Sequence, residues 1–146
     1  MRYDFKLAHK RHNKRIENAR LSKVSFMNTT KWTKLFQAIK DTDISLQGET
    51  MKLIDYERII PFSLKNEGIY YVRGYTADRN GGPCHYKEIE WIFVPVANET
   101  ERWNHSEKLN PKRTPNDVYA LKELIDSIGQ FEYDFDENGM KIYGYK

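Results

Sequence analysis

Apolar residues recur at two different periods along the chain, and the change of period divides it. Trp32, Leu35, Phe36 and Ile39 fall at i, i+3, i+4 and i+7, so this stretch is predicted to form a helix that buries one face, with Thr29 or Thr30 as its cap. From Ile44 to Val96 the period moves towards two. That predicts a meander with strands near 44–47, 51–60, 68–76 and 86–96, separated by Gly48, Pro61, Asn66-Glu67-Gly68 and Asn80-Gly81-Gly82-Pro83. In the last strand Ile89, Trp91 and Phe93 share one face, which places Trp91 in the core, and Glu88 and Glu90 share the other.

Residues 97–114 have no periodicity and read as a long loop of the kind that often carries function. Thr114-Pro115-Asn116-Asp117 then offers a cap, a proline at the first helical position and an acid to meet the helix dipole. Val118, Leu121, Leu124, Ile125 and Ile128 form the buried face of that helix, and Gly129 ends it. Asn138-Gly139 between alternating runs predicts a two-residue turn. That register pairs Phe135 with Ile142 on the core face, and Asp136 with Lys141, Asp134 with Tyr143 and Glu132 with Tyr145 on the wet face.

These elements make an α+β domain over 27–146: an antiparallel sheet of about four strands with two helices and a C-terminal β-hairpin. Residues 1–26 precede it as a basic arm, helical or disordered. Drawn as a helix, residues 4–23 bury only a thin stripe of Phe5, Ala8, His12, Ile16 and Ala19, so a loosely attached arm is expected.

Charge sharpens this division. The arm holds eight Lys/Arg against Asp4 and Glu17, so the net charge of +3 conceals an arm of +6 and a body of −3. Twenty aromatics among 146 residues argue against disorder of the body. The lone Cys84 excludes an internal disulfide framework and a multi-cysteine zinc site. No apolar run approaches 18 residues, so a membrane span is excluded from the reading and the cytoplasm is the expected compartment.

No catalytic signature stands out. Gly68-Ile69-Tyr70 with Tyr71-Val72 resembles the first half of the GIY-YIG nuclease motif, but Asp78-Arg79-Asn80-Gly81-Gly82 stands where its second half belongs. Cys84 and His85 are adjacent and leave opposite faces of a strand, so they form no thiolate–imidazole pair. His105 follows Glu101 at metal-ligand spacing, in a stretch that reads as loop. Glu88 and Glu90 suit paired carboxylates, although a solvated strand face is the simpler account. A metal-dependent hydrolase using Tyr70, His85 and Glu90 is therefore the weakest of three functional readings, and no cofactor is expected.

Two surfaces remain. Lys10, Arg11, Lys14 and Arg15 on the arm have the charge to neutralise phosphates and give salt-sensitive nucleic-acid affinity. Glu132, Asp134, Asp136 and Glu137 with Tyr143 and Tyr145, supplemented by Trp103, have the mixture of a protein-binding site: tyrosines for contact area, acids for steering a basic partner.

Met27-Asn28-Thr29-Thr30-Lys31-Trp32 leading into Leu35-Phe36, with the later Ile89-Glu90-Trp91-Ile92, resembles a family of small bacterial proteins without assigned function, over residues 27–146. Small aromatic-rich α+β proteins of this type are similar to immunity proteins. That similarity implies a non-enzymatic module neutralising a basic, nuclease-like toxin through the acidic face.

Overall fold

A computed structural model describes residues 4–65, 75–77 and 83–146. Its elements in chain order are α1 (Phe5–Arg20), α2 (Thr29–Lys40), β1 (Thr50–Leu53), β2 (Ile59–Pro61), β3 (Tyr75–Ala77), β4 (Pro83–His85), a single 3-10 turn (Tyr86–Glu88), β5 (Ile89–Pro95), β6 (Ala97–Asn104), β7 (Glu107–Pro115), α3 (Val118–Ile128), β8 (Tyr133–Asp136) and β9 (Gly139–Tyr143). The fold is α+β. Five antiparallel strands run in the order β2-β1-β5-β9-β8, while β3–β4 and β6–β7 form separate two-stranded ribbons.

The main core lies between one face of the sheet and the pair α2 and α3. Trp32, Leu35, Phe36 and Ile39 are buried as their spacing requires, with the Trp32 and Phe36 rings stacked at 5.4 Å. Asn28 caps α2 by accepting from the Lys31 N–H at 2.8 Å, one residue ahead of the expected Thr29. Val118, Leu121 and Ile125 of α3 close the core against Met51, Ile92, Val94, Met140 and Ile142.

Several expectations fail for identifiable reasons. Residues 44–47 form no strand: Asn116 bonds both Gln47 backbone groups, and Asp117 takes the Ser45 N–H at 2.6 Å. Because Asp117 is engaged there, α3 starts after it without a side-chain cap, and Pro115 ends β7 instead of opening the helix. The meander is broken because β5 pairs with β1 and not with β2. Residues 97–114 are not loop but the β6–β7 ribbon, turning at His105, whose φ is 55°. The expected strand 68–76 lies mostly outside the described residues, as does Tyr70.

Trp91 is half-buried on the sheet face away from the helices, whereas Ile92 and Val94 face the core. A bulge inverts the phase: Glu90 is the extra residue of β5 opposite β1, and its carbonyl accepts from both the Gly144 and Tyr145 N–H groups, at 2.7 and 3.0 Å. The C-terminal hairpin turns at Glu137-Asn138, pairing Phe135 with Met140 and Asp134 with Lys141. This register lies two residues from the expected one, so the side chains within β8 and β9 keep their predicted faces.

The N-terminal segment is docked to the domain. Ile16 is 0% exposed in a small second cluster with Ile54 and Tyr145, and Ala19 packs against it. Val24 exchanges backbone hydrogen bonds with Lys146, and the Phe26 N–H donates to Gly144, so residues 24–26 lie antiparallel along the chain end.

Candidate functional site

By strand alternation, Trp91 and Phe93 of β5, Lys141 and Tyr143 of β9, and Asp134 and Asp136 of β8 occupy the face of the sheet opposite α2 and α3. Phe93, Asp134, Asp136, Lys141 and Tyr143 surround a depression of about 280 Å³. Asp134, Asp136 and Glu137 are exposed and Glu132 is half-exposed, so four of the predicted acids do reach one surface.

Their charge is partly met within the chain. The Tyr143 hydroxyl donates to Asp134 Oδ2 at 2.6 Å, and the Asn138 N–H donates to Asp136 Oδ1 at 2.8 Å, closing the turn. Lys146 Nζ lies 2.8 Å from Glu132 and 4.6 Å from the Tyr143 ring centroid. Lys141 stands 4.5 Å above the Trp91 ring. Burial, the hydrogen bond to Asp134, and the charges of Asp134 and Glu132 together push the Tyr143 phenol up to about 12.

Two predicted contact residues do not join this surface. Tyr145 is 4% exposed; its hydroxyl donates to the Lys87 carbonyl at 2.7 Å, and Arg20 covers its ring. Trp103 is 57% exposed but sits near the tip of the β6–β7 ribbon, beside Lys108. Strand alternation misplaced Tyr145 because the ladder beyond Tyr143 turns towards α1 at the Glu90 bulge. The same inversion put Trp91 and Phe93 on the exposed face, where sequence reasoning did not look for them.

Glu88 and Glu90 do not form a pair of solvated carboxylates. Each is 7% exposed, and each is met by the N-terminal segment. Glu88 binds His12 Nε2 through one oxygen and the His85 N–H at 2.7 Å through the other. Glu90 binds Lys23 at 2.8 Å and also Lys52. Burial alone would raise the Glu90 carboxyl, but hydrogen bonds and charge from the two lysines outweigh it and hold it below the ordinary value.

The other candidates disperse. Lys10, Arg11 and Lys14 are exposed on α1, while Arg15 leans back to His12 Nδ1 at 3.3 Å. Cys84 is buried in the main core, and the His85 ring accepts from the Lys87 N–H at 3.2 Å. Glu101 pairs with Lys108 across the ribbon. Among the described residues no group of three or more His, Cys, Asp or Glu is arranged to hold a metal ion. Among those residues, no helix is long and apolar enough to cross a membrane.

Residues 14–146 match a family model described as a family of unknown function (DUF6678). The match begins inside α1 and so takes in Ile16, Ala19 and Lys23 along with the rest of the domain. No curated protein and no solved structure matches the chain.

Proposed function

We propose, for a chain that belongs to this family of unknown function, a protein-binding role in which the face of β5, β9 and β8 opposite α2 and α3 docks a basic partner. One observation carries the reading: on the sheet face opposite α2 and α3, the rings of Phe93 and Tyr143 flank a depression rimmed by Asp134 and Asp136, and Trp91 stands on the same face, paired with Tyr143 across the ladder. Aromatics with two soft dihedrals supply contact area at low entropic cost, and exposed acids accelerate encounter with a cationic surface. Four acids stand there against Lys141 and Lys146, so a net negative field survives the internal pairing. An immunity-type role, covering the cationic cleft of a nuclease-like toxin, is the form of binding that this chemistry fits.

The test is co-expression with the product of the adjacent gene, scored by growth rescue and co-purification. The paired variant is Asp134→Asn with Glu137→Lys, which leaves the Asp136 turn contact and an acceptor for Tyr143 in place. Association at low salt is expected to slow by about tenfold or more, with an unchanged melting profile. An unchanged association rate removes this surface from consideration.

A second reading rests on the exposure of Lys10, Arg11 and Lys14 on one helix, which gives α1 a cationic outer side for nucleic acid. Retention of DNA or RNA that falls steeply with salt, and disappears on replacing those three residues with glutamine, would favour it.

A further inference from the structure

We propose that the cavity between α1 and the β1–β2 hairpin binds a phosphate ester of mononucleotide size, with Arg15 and Arg58 as its anion ligands. This site is separate from the sheet face and does not depend on it. The cavity has a volume of about 500 Å³, within the range of small-molecule sites. His12 and Arg15 line it from α1, and Asp55, Tyr56 and Arg58 from the turn that joins β1 to β2.

The two guanidiniums are available. Among the described residues Arg58 engages in no hydrogen bond or ion pair, and Arg15 makes one long contact, at 3.3 Å, to His12 Nδ1. Arginine only donates, so in that contact Nδ1 is the acceptor and the ring proton sits on Nε2, where it is donated to Glu88. With its second oxygen on the His85 N–H, Glu88 has both carboxylate oxygens engaged within the chain. His12 is thereby a positioning residue: it fixes Glu88 and holds the Arg15 fork beside the opening. The planar fork of a guanidinium donates two parallel N–H bonds to phosphate oxygens, and this cavity is lined by two of them.

The remainder of the lining suits the rest of such a ligand. Asp55 Oδ2 lies 3.7 Å from His12 Nδ1, beyond hydrogen-bond range, and is left to accept from hydroxyl groups such as those of a ribose. Tyr56 is 44% exposed and Ile59 59% exposed, and with Pro61 they give an apolar shelf for a planar base.

Calorimetric titration of the full chain with AMP, GMP, CMP and UMP, and separately with inorganic phosphate and adenosine, tests the proposal. At least one nucleotide is expected to bind saturably, one per chain, and inorganic phosphate and adenosine more weakly. Arg15→Gln with Arg58→Gln should weaken that binding by about tenfold or more, whereas Lys112→Gln with Arg113→Gln, which removes equal charge from the β6–β7 ribbon, should not. A circular-dichroism melt confirms that each variant is folded. Absence of saturable binding by all four nucleotides overturns the proposal, as does unchanged binding by the Arg15/Arg58 variant or an equal loss in both variants.

Discussion

Truncating Ile16 to alanine tests whether α1 is part of the folded domain. The side chain is fully buried, yet among the described residues its cluster holds just Ile54 and Tyr145 besides itself, with Ala19 at the rim. Removing roughly three buried carbons at about 0.8 kcal/mol each gives about 2.4 kcal/mol of lost transfer energy, before any cavity term. A small peripheral cluster relaxes more readily than a main core, so the total should stay near 2–3 kcal/mol. The loss also has a ceiling, because once it exceeds the docking energy of the helix, α1 detaches while the main core remains. Urea unfolding followed by tryptophan fluorescence, with Trp32 as the core reporter, measures the global change; amide exchange resolved by residue measures the local one. Residues 5–20 should lose protection first, and α2 and α3 should keep most of theirs. Unchanged protection in α1 together with an unchanged urea midpoint would refute the docking argument.

Other positions give equally specific outcomes. Gly139 has φ of 144°, and a Cβ there would stand 2.1 Å from the Val94 carbonyl oxygen, so Gly139→Ala must part β5 from β9; chemical denaturation should show a loss above about 1–3 kcal/mol. Gly48→Ala meets only the side chain of Asn98, which can move, and should cost about 1 kcal/mol. Because the Glu90 carboxyl is held below its ordinary 4.5, its contribution to stability is complete above that value and is lost as pH falls through the lower folded value. Glu90→Gln should therefore flatten the acid limb of a stability–pH curve. Tyr143, raised to about 12, should stay protonated through pH 10–11 in an ultraviolet titration, and Asp134→Asn should bring it down towards 10. The raised phenol favours the folded state below pH 10, and that contribution fades as pH rises towards 12.

How much of this architecture was legible depends on whether a segment has a buried face. α2 was readable because four apolar residues on one stripe specify a helix without reference to anything distant. The β6–β7 ribbon was not, because a two-stranded ribbon whose faces are both largely exposed has no reason to alternate apolar and polar residues. In the C-terminal hairpin Asn138-Gly139 marked the turn, but Gly139 is required by the approach of β5 and not by the turn. The turn itself falls at Glu137-Asn138. An even slip preserved the faces, so the acidic surface survived an incorrect register. In β5, a bulge hidden from any periodicity argument reversed the faces of Trp91 and Ile92.

The charge asymmetry and the two glutamates Glu88, in the turn before β5, and Glu90, within it, turn out to be one feature. Carboxylates buried at the edge of an apolar core are costly unless cations reach them, and β5 itself carries no Lys, Arg or His. A basic segment elsewhere in the chain is then the natural place to look. Lys23 fills that role on Glu90, and the His12 Nε2–H hydrogen-bonds Glu88. Part of the arm's +6 is thus spent inside the molecule, and Arg20 lies over Tyr145 and is salt-bridged to Glu17. What remains for partners divides by position: Lys10, Arg11 and Lys14 are exposed away from the cavity lining, whereas Arg15 lines the cavity together with Arg58. Replacing the first group should alter only salt-dependent association with long polyanions, and replacing the second only the binding of small phosphates. A single variant that abolished both would show that α1 acts as one undivided cationic surface and that the cavity has no selectivity of its own.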